Sequence, residues 1–121
     1  MANRANIANG GTEVFDFRKP NPVKTAGQYG CKVLRIVADG DSYKVTVRPH
    51  EIADPSKEYS PIRGWVPKEI KDNSITEHFL TAFGNPQCFG DVIGKSATIE
   101  VDFNTDTETG ETYANVVDFV I

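Results

Sequence analysis

The amino-acid sequence predicts an all-β fold, a five-stranded OB barrel of order β-β-β-α-β-β with one short helix between strands 3 and 4. Three features lead there: five short runs of strand-like patterning, a first run long enough to bend, and a lone helix signal between the third and fourth runs. A chain of 121 residues suits one domain. A flexible, polar, Gly/Asn-rich arm over residues 1–12 is expected to precede a barrel spanning residues 13–121.

The first strand is read from Tyr29 to Ala38. Its apolar residues fall on both parities, with Cys31, Val33 and Val37 on one and Leu34 and Ile36 on the other, the pattern of a strand that bulges and changes face midway. Asp39-Gly40 signals a tight hairpin. From Ser42 to Arg48 the alternation is clean, with Tyr43, Val45 and Val47 on one side and Lys44, Thr46 and Arg48 on the other. A polar loop fills 51–58. Tyr59 to Val66 reads as a third, weaker strand, interrupted by Pro61 and Gly64 and so expected at an edge.

Ser74-Ile75-Thr76-Glu77 is a capping box, in which the serine hydroxyl accepts from the N3 amide while Glu77 reaches back to the cap. Ile75, Phe79, Leu80 and Phe83 share one face of the helix that follows, and Gly84 with Pro86 stops it. Ser96 to Asn104 alternates again, with Ala97, Ile99, Val101 and Phe103 expected inward. Tyr113 to Ile121 forms the last strand. Val14, Phe15 and Phe17 make a short apolar patch suited to packing on the domain or on a second subunit.

The formal charge of −4 is unevenly divided. Residues 1–71 hold 12 of the 13 Lys/Arg against 8 Asp/Glu, whereas residues 72–121 hold Lys95 against 9 Asp/Glu. A nucleic-acid binder needs positive potential where the backbone lies, so this asymmetry permits such a ligand despite the acidic total. No apolar run is long enough to span a bilayer, and the N-terminal residues lack a signal-peptide core, so a cytoplasmic location is expected. Cys31 and Cys88, without an export signal, are read as free thiols.

The informative residues lie on strands 2 and 3. If Ile62 and Val66 point inward, Arg63 and Trp65 point outward, with Tyr59 on the same parity should the strand stay regular past Pro61. An outward indole beside Arg63, Lys44 and Arg48 suits a single strand of nucleic acid: phosphates pair with the cations and bases stack on the rings. Lys32, Arg35 and Lys57 are candidate further backbone contacts. The competing reading keeps Trp65 in the core, as a lone tryptophan usually is, through a bulge at Gly64 that turns the ring inward.

Two near-motifs are refused. Gly90 to Ser96 resembles the end of a phosphate-binding loop, but three residues rather than four separate its glycines and a strand follows. Asp102, Asn104 and Asp106 have the first three spacings of a calcium loop, yet the glycine position is Thr107 and the twelfth is Tyr113. Cys31, Cys88, His50 and His78 never approach metal-site spacing. No catalytic arrangement is recognisable, and neither an enzyme nor a cofactor is expected.

The plan from about residue 14 onward resembles the small single-stranded DNA-binding proteins of phages infecting lactococci and related bacteria. The resemblance lies in Phe15-Asp16-Phe17, in Gly27 to Tyr29 at the start of strand 1, in Val92-Ile93-Gly94-Lys95 before strand 4, and in the closing Tyr113 to Phe119. It implies a homodimer that coats single-stranded DNA during phage replication and recombination, in contact with replication or recombinase proteins. Cellular bacterial counterparts end in an acidic tail that recruits partners. This sequence ends in strand-like residues at Ile121, so partner recruitment is expected to use another surface or to be absent. Two other readings stay open: an OB-type protein-interaction adaptor in a phage replication or recombination complex, and an oligosaccharide binder using the same aromatic platform.

Overall fold

The computed structural model describes residues 17–121. The arm over 1–12 and the apolar residues Val14 and Phe15 lie outside them. The described residues form a closed five-stranded barrel: β1 (Gly27–Asp39), β2 (Ser42–His50), β3 (Ile62–Pro67), β4 (Ser96–Thr105) and β5 (Thr112–Val120). Going round the barrel the order is β1-β2-β3-β5-β4, and β4 closes on β1. One α-helix, α1 (Ile75–Ala82), and a single 3-10 turn (Phe89–Asp91) lie between β3 and β4. The OB-type plan expected from the sequence is the one observed.

The bend in β1 is a bulge. Val33 pairs with Val47 and Arg35 with Thr46, which leaves Leu34 as the extra residue. Gly40, at φ 61°, supplies the left-handed residue that turns β1 back into β2, with Asp39 paired to Ser42. The core is aliphatic: Val33, Val45, Val47, Ile62, Val66, Ile99, Val101 and Val116 are buried, with Phe119 beneath the helix. Phe79 of α1 and Phe83 at its C-cap pack in T-shaped contacts with Phe119, at ring-centroid distances of 5.2 and 5.9 Å. The helix thus plugs one end of the barrel, and His78 Nδ1 contacts Asp118 Oδ1 at 2.7 Å to tie it to β5.

Four expectations need correction. First, β3 is no edge strand. It pairs antiparallel with β2 and meets β5 in parallel at Arg63 and Asn115. Gly64 faces inward there, and a Cβ on it would lie 2.7 Å from Val116 Cβ and 3.0 Å from the Val116 carbonyl oxygen. The glycine permits the close approach that shuts the barrel and introduces no bulge.

Second, β3 starts at Ile62 rather than Tyr59. Pro61 has no N–H for the ladder, and the Tyr59 and Ser60 amides donate to the Pro49 and Asn21 carbonyls instead.

Third, Phe103 is not inward. Its β1 cover has run out, because the β1–β4 ladder ends at the Gly27–Val101 pair and β4 continues with β5 alone.

Fourth, only half of the capping box forms as expected. The Glu77 amide donates to Ser74 Oγ at 3.3 Å, but the Glu77 carboxylate accepts from the Asn73 amide, one residue before the cap.

Candidate nucleic-acid interface

The outer surface of β1, β2 and β3 collects most of the residues singled out by the sequence. Cross-strand register sets them in rows: Arg35, Thr46 and Arg63 form one, Val37, Lys44 and Trp65 the next, and Lys32 pairs with Arg48 beyond them. Lys32 and Arg35 are three residues apart, so a regular strand would send them to opposite faces. The bulge at Leu34 puts both outward. Among the described strand residues, five cations therefore share a sheet face with one carboxylate, Asp39. Among the described residues, none of Lys32, Arg35, Lys44 or Arg63 is in an ion pair. The opposite wall is acidic, with Glu100 directly paired to Asp118 and Asp102 two residues on.

Trp65 is outward and 43% exposed. The inward-facing residues on either side, Gly64 and Val66, are buried, so the period of two holds through the glycine. The indole N–H donates to Asp39 Oδ2 at 2.9 Å. With its polar edge satisfied, the ring leaves solvent-open area to a flat apolar partner.

Trp65 and Arg63 also line a groove of about 620 Å³ between β3 and the far end of the β4–β5 hairpin. Phe103 and Tyr113 form its other side, and both are exposed. The Tyr113 hydroxyl donates to the Glu111 carboxylate, which holds the phenol above its usual pKa. These two rings were not among the residues selected from the sequence. The signal that could have found them is the polar turn from Asp106 to Gly110: a hairpin that long overhangs the barrel, and rings beside it lose their inward cover.

The other candidates fall differently. Arg48 is half-buried, and its Nη1 donates to the Tyr59 carbonyl at 3.2 Å. Tyr59 lies off the strand with its ring T-shaped to that of Tyr29, centroids 5.6 Å apart, and its hydroxyl on Glu51, whose carboxylate pushes the phenol up to about 12. That leaves Tyr59 a packed residue at the margin of the face. Lys57 lies in the loop after β2, near the Asp54 carboxylate, and is not placed on the sheet.

Among the described residues no group of three or more His, Cys, Asp or Glu is arranged to hold a metal ion. No described helix is long and apolar enough to cross a membrane. No protein-family model matches the chain, and neither does any curated protein or solved structure.

Proposed function

We propose that the protein binds single-stranded DNA without sequence selection and without chemistry of its own. One observation carries this reading: five cations and an exposed, hydrogen-bonded tryptophan share the outer face of β1–β3, which leads into a groove with two further open rings. In this reading Lys44, Arg63, Lys32, Arg35 and Arg48 hold phosphates, while Trp65, Phe103 and Tyr113 stack bases. Stacking tolerates any base because every base has a π-face, and alanine substitutions put it at about 1–3 kcal/mol per base. The acidic wall of β4 and β5 repels the same polymer and so favours one track over the barrel surface.

The resemblance to the phage single-strand binders supports a role in coating DNA during phage replication and recombination, as a homodimer in the host cytoplasm. The test is a titration of Trp65 fluorescence with oligo-dT at low and high salt. Quenching that saturates at low salt and weakens as salt rises supports the reading; no response at low salt removes it.

One observation favours the adaptor reading. A mostly apolar pocket of about 200 Å³ lies between α1 and the barrel, with Ile70 and Phe89 exposed at its rim. An adaptor would show no affinity for oligo-dT at low salt.

A further inference from the structure

A second basic surface adjoins the aromatic groove. Residues 17–22 run beside the segment Glu58–Ser60 and are fastened to it. The Asn21 amide donates to Ser60 Oγ at 2.8 Å, the Ser60 amide donates to the Asn21 carbonyl at 2.9 Å, and Asn21 Nδ2 donates to the Glu58 carbonyl at 3.0 Å. Val23, next in the chain, is buried at 3% exposure. These bonds set Arg18 and Lys19 at the rim of a depression of about 630 Å³, into which Arg48 also reaches. Ser60 and Pro61 line both this depression and the aromatic groove, so the two are separated by one saddle of chain.

We infer that the bound strand continues from the aromatic groove over Ser60–Pro61 into this depression, where Arg18, Lys19 and Arg48 hold its phosphates. The inference rests on the single-strand reading above and adds a backbone site to it. The chemistry of the lining favours phosphate over base. Its one ring among the described lining residues, Tyr59, is partly buried and held in place by a T-shaped contact with Tyr29 and by its hydroxyl on Glu51, so cations outnumber rings here. Among the described residues that line it, Arg18, Lys19 and Arg48 stand beside one carboxylate, Glu58, which Arg18 Nη1 contacts at 2.7 Å. That ion pair is exposed on both sides, at 44% and 43%, so a phosphodiester can compete for the guanidinium. Arg48 belongs to the sheet face as well, and links the two surfaces.

The test compares oligo-dT of about 5 nucleotides, near the lower end of the range of about 4–16 covered by one OB domain, with oligo-dT of about 20, beyond its upper end. The Arg18→Ala/Lys19→Ala double variant is expected to bind the short oligonucleotide as the parent does. On the long one its log–log salt slope should be shallower by up to about 1.4, two contacts at about 0.7 each, or up to roughly 25-fold weaker binding at about 0.1 M salt. Glu58→Gln removes one opposing charge and should strengthen binding of the long oligonucleotide alone. A double variant that matches the parent on both lengths overturns the extension and leaves the single-strand reading standing, as does equal loss on both lengths. Failure of Glu58→Gln to gain on the long oligonucleotide also counts against it. A parent protein that binds neither length removes the underlying reading itself.

Discussion

The indole N–H of Trp65 donates to the carboxylate of Asp39 at 2.9 Å, tying the third strand to the turn that joins the first two. The bond sets the plane of the protein's single tryptophan on the cationic face. A ring already oriented loses less freedom when a base stacks on it than a ring that must first be ordered. The Asp39 carboxylate on that face is therefore engaged in positioning the ring.

Trp65→Ala is accordingly expected to weaken oligo-dT binding by roughly 5- to 150-fold, the equivalent of about 1–3 kcal/mol for one stacked base. Its melting temperature should change little, because the ring is half in solvent. Binding is best read by fluorescence anisotropy of labelled DNA, since the variant lacks the intrinsic probe. A large fall in melting temperature with unchanged affinity would assign the ring to packing.

Arg63 occupies the middle of the face, across from Thr46 and one pairing step from the Lys44–Trp65 row. Arg63→Ala should reduce the slope of log K against log salt by about 0.7, the share of one phosphate contact on a single strand. Lys71→Ala is the matched control, because Lys71 lies before the helix and contacts Glu69 at 3.6 Å. It should leave the slope unchanged. Equal effects of the two would mean that total charge, and not this face, governs binding.

The outward pair Arg63 and Trp65 was legible in the sequence because β3 keeps its period of two through Gly64, whose missing side chain is accommodated inward. The Lys44–Arg48 parity was legible for the same reason. What escaped lies where regular pairing stops. Lys32 and Arg35 share a face only through the unpaired Leu34, and the location of a bulge depends on both strands of the pair. Phe103 alternates correctly with Ile99 and Val101, but the partner strand that would cover it ends at Gly27. Tyr59 precedes Pro61, and the strand begins only after that proline. Periodicity reports which side a residue faces and says nothing of whether a neighbour lies over that side.

Gly64 offers a test of barrel closure that is separate from binding. An alanine Cβ there would meet Val116 at 2.7 Å and the Val116 backbone oxygen at 3.0 Å, and backbone gives way less readily than a side-chain tip. Gly64→Ala is expected to cost about 1–3 kcal/mol as overpacking. For a domain of this size that lowers the melting temperature by roughly 4–20 °C, measured by circular dichroism. A neutral result would show that β3 and β5 can part without loss.

The two cysteines should behave as opposites toward a thiol reagent. Cys88 is exposed, while Cys31 is fully buried between β2 and β4 and its thiol is pushed up to about 12 from an ordinary 9.0 by desolvation. One thiol per chain is expected to react with a disulfide reagent at neutral pH in the native protein, and two after denaturation. The same shift gives a stability profile. Below about pH 9 the thiol is protonated in folded and unfolded chains alike, and this group adds no pH dependence. As pH rises from 9 toward 12 the unfolded chain releases a proton that the folded chain retains, so stability falls through that window. Cys31→Ala keeps the site apolar and should flatten this part of the decline, at the expense of a small cavity. An unchanged alkaline profile in that variant would place the titrating group elsewhere.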